Sequence, residues 1–143
     1  MVRVVIHHYR AQALSALETA KFLRKVLHEI RFNARLHLFH GPYTYGHLAS
    51  TLVVDGPTPS PGRVTGAVRA TAPYARFPES GAKPHIIRPR PPKRRLRFYW
   101  RRVGRVVRPP LVHHPGQRGK HYLLEAARTA ARRYNMILVV YDP

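Results

Sequence analysis

The chain has 143 residues, 26 Lys and Arg against 6 Asp and Glu, a formal charge of +20 and no cysteine. A domain of that length buries roughly 68–70% of its unfolded surface, and a hydrophobic share of 44% supplies an ordinary core, so pervasive disorder is excluded. Without cysteine there is no disulfide scaffold, thiolate zinc site or thiol nucleophile. The six carboxylates (Glu18, Glu29, Asp55, Glu79, Glu125 and Asp142) are scattered without pairing, so no enzyme is expected.

Residues 2–6 form a short β-like run. Over residues 11–38, Leu14, Leu17, Leu23, Val26, Leu27, Ile30, Ala34 and Leu38 recur in steps of three and four, which places them on one helical face. Lys21, Arg24, Lys25, Arg31 and Arg35 mostly occupy the remainder, and Gly41-Pro42 ends the helix. Thirteen of the 14 prolines fall between Pro42 and Pro115, so long helices are confined to the flanks and the middle is read as strands, turns and extended connections.

Residues 50–55 and 63–70 read as partner strands. In the second, Val64, Gly66, Val68 and Ala70 face one way and Arg63, Thr65 and Arg69 the other. Residues 56–62 between them contain Pro57, Pro59 and Pro61 and are expected to form a projecting loop rather than a tight turn. Leu96, Phe98 and Trp100 alternate with Arg95, Arg97 and Tyr99 in a third strand, and a turn near Gly104 returns the chain through residues 105–108.

Residues 121–134 form the second helix, with Leu123, Ala127, Ala130 and Tyr134 as its stripe and Leu124 and Ala131 widening it. Glu125 in the first turn and Arg132-Arg133 in the last suit the helix dipole, and Asn135 can take a left-handed conformation after it. Residues 136–141 read as a strand buried on both faces; this six-residue run is the longest apolar one, far short of a bilayer span. The three apolar residues between Arg3 and His7 are too few for a secretory signal, so a soluble, unprocessed and very basic chain is expected. The expected fold is α+β: a long N-terminal helix and a C-terminal helix packed on a mainly antiparallel sheet with extended proline-rich loops, in one domain over residues 1–143.

From Ser80 to Leu124 there is no acidic residue, and 13 of the 26 Lys and Arg fall there. Arg88, Arg90, Lys93, Arg94, Arg95 and Arg97 make the densest cluster; Tyr99, Trp100, Arg101 and Arg102 follow. Guanidinium groups bind phosphate bidentately and aromatic rings stack on bases, so nucleic-acid contact is one reading. If about four of these groups neutralise phosphates, log K falls with log salt at a slope near −3 to −4. The other reading is a solvated face whose cations meet an acidic neighbour in an assembly, with a field that draws DNA non-specifically.

Ten histidines raise a metal reading. His7-His8 and His113-His114 are adjacent and point apart in a strand, while His37 and His40 lie three apart near a helix end. No carboxylate or third ligand stands at metal-binding spacing, so neither a metal nor another cofactor is expected. No glycine-rich phosphate loop and no Gly-x-Ser-x-Gly elbow occurs.

Tyr45-Gly46-His47-Leu48, Tyr74-Ala75, Glu79, Gly81-Ala82, His114-Pro115-Gly116 and Tyr122-Leu123 stand in that order along the chain, and together they resemble motifs of the neck or tail-completion components of long-tailed phages, which join head to tail. Tyr45-Gly46-His47-Leu48-Ala49-Ser50-Thr51-Leu52 stands where that family has a Thr-Gly-x-Leu-x-x-Ser-like turn into a strand, with Tyr45 in place of the usual threonine. Tyr74-Ala75, then Glu79 and Gly81-Ala82, are similar to a Tyr-Ala, Glu, Gly-Thr pattern, with Ala82 replacing threonine. His85-Ile86-Ile87-Arg88-Pro89, Leu96-Arg97-Phe98, His114-Pro115-Gly116 and Tyr122-Leu123 follow. The likeness spans about residues 12–131, and it rests on order and spacing rather than on any one motif.

The residues themselves give these motifs physical roles. Gly46, Gly81 and Gly116 are candidates for positive φ at element junctions; His114-Pro115-Gly116 turns the chain toward the second helix; Tyr74 and Phe77 are read as core anchors. Glu79, an isolated acid before the cationic tract, reads either as an arginine partner, within the subunit or on the next one, or as a capping or surface carboxylate.

The resemblance implies a non-enzymatic virion protein, assembled in the host cytoplasm, that forms a ring at the neck (a hexamer in preference to a dodecamer). That ring would join the connector or head-completion protein to the tail-terminator or tail-tube protein and leave an axial path for the genome, with heterologous contacts between copies. Residues 56–62 (Pro57, Pro59, Pro61) and 83–93 (Arg88, Arg90, Lys93), with Glu79, are the candidate bridging interface. Arg94, Arg95, Arg97, Arg101 and Arg102 are candidates for contact with DNA or an acidic partner. No membrane partner is implied. The alternative reading is a small basic RNA- or DNA-binding protein; a histidine-metal enzyme is a distant third.

Overall fold

A computed structural model describes residues 15–40, 46–61 and 63–136, together with the backbone of residues 3–7. Contacts divide the chain into two compact units: Met1–Ser80 with Gly119–Pro143, and Gly81–Arg118. The second is inserted between two consecutive helices of the first, within the acid-free stretch from Ser80 to Leu124.

The first unit is α+β. Strands β1 (Arg3–His7), β2 (Leu52–Ser60) and β3 (Arg63–Ala70) form an antiparallel sheet in the order β1-β3-β2. Helix α1 (Ala16–Phe39) packs on β2, β3 and the C-terminal helix α4 (Tyr122–Arg133); the short helices α2 (Gly46–Ser50) and α3 (Arg76–Ser80) complete the unit.

Helix α1 starts where its side chains can satisfy its first backbone donors. The Ser15 hydroxyl accepts from the Glu18 N–H at 3.2 Å, and the Ser15 N–H donates back to the Glu18 carboxylate at 3.2 Å, a reciprocal capping box. Its buried face is Leu23, Val26, Leu27, Ile30, Ala34 and Leu38, as the spacing predicts. Leu17, also assigned to that face, is 65% exposed, and Leu14 lies outside the described residues.

Strand β3 is central and buries Val64, Gly66, Val68 and Ala70 on one face as expected, but Ala67 on the opposite face is fully buried too, so strict alternation fails there. Helix α1 lies so close to Gly66 that a Cβ there would collide with the Leu27 side chain. Residues 56–62 depart from the expected projecting loop: β2 continues through Ser60, pairing Thr58 with Thr65, Pro59 with Val64 and Ser60 with Arg63. The reason is position. β2 is an edge strand, where a proline's missing N–H breaks no inner ladder, and Pro57 falls at the bulge between Asp55 and Thr58, where pairing is already interrupted. Gly56 takes φ +86° there, and the Gly56-Pro57 bond is cis. Only Pro61 and Gly62 separate the strands, and Gly62 is outside the described residues.

Helix α4 buries Tyr122, Leu123, Ala126, Ala127 and Ala130. Asn135 follows it in the left-handed region at φ 50°, as expected. The α1 and α4 helices are joined by Glu29, which accepts from the Tyr134 hydroxyl at 2.6 Å and from Arg133 at 2.9 Å. The strand expected over residues 136–141 lies almost wholly outside the described residues.

Two further expectations are corrected. Gly46 is not left-handed: it opens α2 in ordinary helical geometry, against the Phe39 ring. Phe77 is no core anchor: α3 buries Pro78 and Glu79, which turns Phe77 outward to 38% exposure under the Arg76 guanidinium.

Candidate functional site

The second unit is a two-stranded ribbon. Strands β4 (Gly81–Ala82) and β9 (Gln117–Arg118) pair at its base, β5 (His85–Ile87) and β8 (Val112–His114) in its middle, and β6 (Phe98–Trp100) and β7 (Arg105–Val107) toward its tip. The first two ladders share one register, with Gly81 opposite Arg118, Ala82 opposite Gln117 and His85 opposite His114. Near the tip Phe98 stands opposite Val107. Ten outgoing residues, 88–97, therefore face four returning ones, 108–111.

The surplus lies within the tract Arg88-Pro89-Arg90-Pro91-Pro92-Lys93-Arg94-Arg95, whose prolines cannot donate to a ladder and so bulge from it. The bridging candidates Arg88, Arg90 and Lys93 and the DNA candidates Arg94 and Arg95 thus share one bulge, and Arg97 follows it into β6. At the tip, the N–H groups of Val103 and Gly104 both donate to the Trp100 carbonyl, at 3.0 and 2.9 Å, and Gly104 at φ +68° closes the turn over Arg101 and Arg102.

Gly81 and Gly116 take φ +86° and +83°, as expected at junctions. A Cβ on Gly116 would meet the backbone of Ala82, Lys83 and Pro84, so only glycine lets the two strands approach here. Beside it, His85 and His114 stack across the ladder with ring centroids 4.9 Å apart. Their Nδ1 atoms are engaged: His85 with the Lys83 carbonyl at 2.9 Å, His114 accepting from the Gly116 N–H at 3.1 Å. Both rings line a shallow hollow of about 370 Å³ with Pro84, Ile86, His113 and Pro115. Among the described residues no three metal-ligating side chains come together. The His85–His114 pairing is invisible to sequence spacing, because the ladder brings together residues far apart in the chain.

Burial separates this unit from the first. No residue between Gly81 and Arg118 is fully buried, while Ile86, Ile87, Tyr99, Trp100, Val103 and Val106 are exposed apolar groups. The unit carries twelve Lys and Arg and no carboxylate; all twelve are exposed, and none is in an ion pair among the described residues. Such a surface is complementary in chemistry to anions and apolar groups.

The remaining candidates lie in the first unit. Pro57 is half-buried at the β2 bulge, and Pro59 and Pro61 are exposed near its end. Glu79 is buried, 6% exposed, and its carboxylate accepts from the N–H groups of Leu123 at 2.9 Å and Leu124 at 3.1 Å. Of the readings open for it, the capping one describes this geometry: the acid satisfies the start of α4, whose N-cap His121 supplies no side-chain bond. Its own carbonyl accepts from the His121 N–H at 3.1 Å, and Pro78 accepts from Lys120 at 2.6 Å. The chain is thus clasped just before it leaves for the ribbon and just after it returns. Burial, then the Glu79 charge and Tyr74, push the neighbouring Tyr122 hydroxyl far above its usual pKa.

No family model, curated protein or solved structure matches the chain. No helix among the described residues is long and apolar enough to cross a membrane.

Proposed function

We propose that this chain is a structural protein of the phage neck, a non-enzymatic subunit of a ring that joins the head connector to the tail and leaves an axial path for the genome. The observation that carries this reading is the coreless ribbon. A lone two-stranded ribbon is at best marginally stable in water, so one that exposes six large apolar groups is suited to gaining burial from another molecule. The order of short motifs along residues 12–131 resembles that of neck proteins, and Gly81, Gly116 and Glu79 in those motifs each have a structural duty at the ribbon's roots. In this reading copies of the chain meet in the ring through surfaces other than the cationic ribbon, among them the exposed Phe32, Leu36 and Phe39 of α1, with connector and tail proteins above and below.

A stop codon in the gene tests this in an infected cell. DNA-filled heads and free tails that fail to join support it; normally joined particles contradict it.

The alternative, a free-standing basic nucleic-acid-binding protein, is favoured by the twelve ribbon cations that make no ion pair among the described residues. It leaves without a role the exposed stripe of Phe32, Leu36 and Phe39 on α1, at 60%, 40% and 51% exposure and helical spacing.

A further inference from the structure

The ribbon's cations need an anion, and among the described residues the rest of the chain has no free carboxylate to offer. Each described carboxylate is already engaged: Glu18 in the capping box, Glu29 with Tyr134 and Arg133, Asp55 with Arg69, Glu79 on the α4 backbone and Glu125 with Arg128. A second copy docked on the ribbon brings its own surplus of cations and no free carboxylate among the described residues. Like charges would then face one another across a partly desolvated contact, which is costly. The anionic occupant is therefore a different molecule.

Residue type and form narrow its chemistry. Ten of the twelve cations are arginine, whose planar fork matches phosphate oxygens bidentately. A two-stranded antiparallel ribbon is one of the two elements that the major groove of duplex DNA admits. At the tip, Arg97, Arg101, Arg102 and Arg105 surround Tyr99 and Trp100, all six exposed.

We infer that the tip of the ribbon is a docking site for duplex DNA, with Arg97, Arg101, Arg102 and Arg105 on backbone phosphates and Trp100 against the groove. The inference does not depend on the neck reading: DNA binding by the chain and its place in a virion are measured separately.

Trp100 is the sole tryptophan of the chain and reports on the tip directly. The full-length protein is titrated with a random-sequence DNA duplex, with a single strand of equal length and with a polyglutamate peptide, following Trp100 emission and binding anisotropy. The expected result is that duplex changes the emission and binds tightest, losing about 100-fold in affinity between 50 and 200 mM salt, as four phosphate contacts require. R101S/R102S flattens the salt slope by about two while leaving the circular dichroism spectrum and thermal unfolding unchanged. Preference for single strands, equal or tighter binding of polyglutamate, an unaltered salt slope in R101S/R102S, or an unresponsive Trp100 would each overturn the inference.

Discussion

The carboxylate of Glu79 accepts the backbone N–H of Leu123 at 2.9 Å, across 44 residues of chain that include the whole ribbon. A helix start has four unpaired N–H groups, and α4 takes its cap from this remote acid because His121, at φ 50°, offers none. One buried residue therefore fixes where the chain departs for the ribbon and where it re-enters the body.

Glu79→Ala is accordingly expected to destabilise the first unit by about 2–3 kcal/mol, since it leaves two N–H groups unpaired in a dry site and removes a favourable charge from a helix N-terminus. Glu79→Gln keeps one acceptor and is expected to cost about half as much. Denaturant midpoints of the two variants check the order.

Thr19 in α1 and Gly66 beneath it are expected to respond in opposite directions. Thr19 is fully buried and its hydroxyl has no hydrogen-bond partner among the described residues, so Thr19→Val, which keeps the shape, is expected to leave stability unchanged or raise it by about 1 kcal/mol. Gly66→Ala pushes a methyl into Leu27 and is expected to cost about 1–3 kcal/mol. Thermal unfolding of the two single variants distinguishes them.

Protonation limits stability at both ends of the pH scale. The Tyr134 hydrogen bond, reinforced by Arg133 against the opposing effect of burial, holds the Glu29 carboxyl below its ordinary 4.5. The unfolded chain takes up that proton first, so the Glu29 contribution is complete above about pH 4.5 and is lost as pH falls through the folded value. The same bond holds Tyr134 above its ordinary 10, and burial does so for Tyr122; their contributions are complete below pH 10 and are lost as pH rises through the folded values. Glu29→Gln is expected to flatten the acid limb of the stability profile and leave the Tyr122 part of the alkaline limb. Denaturant midpoints measured across pH check both limbs.

Replacing Arg94, Arg95 and Arg97 together by Ser is expected to change folding stability by less than about 0.5 kcal/mol, because all three are exposed and Arg95 makes only a 3.3 Å bond to the Arg108 carbonyl. A large fall in the unfolding midpoint would show that the cations support the fold.

The two long helices were legible because period and capping agree with burial: six of the eight apolar positions assigned to the first helix are buried, and the second is bounded by His121 and Tyr134 as its stripe predicts. Ser15 and Glu18, three apart, mark the true start at Ala16 more sharply than the apolar spacing does. The middle was harder to read. Prolines in residues 56–62 argue for a loop only if the strand is internal, and edge position is a property of the sheet rather than of the local sequence. The ribbon's existence was half visible in the alternation at Phe98 and the turn at Gly104, but its length was not: the ladder joining His85 to His114 depends on register across distant residues. Glu79 lay open between a pair and a cap for the same reason, since its partners are 44 and 45 residues away.

Native mass measurement of the intact purified chain, with particle images of the same sample, tests the central claim most directly, which is that this protein works by assembling and not by chemistry. The account predicts closed rings of fixed copy number with an axial opening, formed at physiological salt. A single species of one-chain mass at every concentration, with no ring in the images, would contradict it.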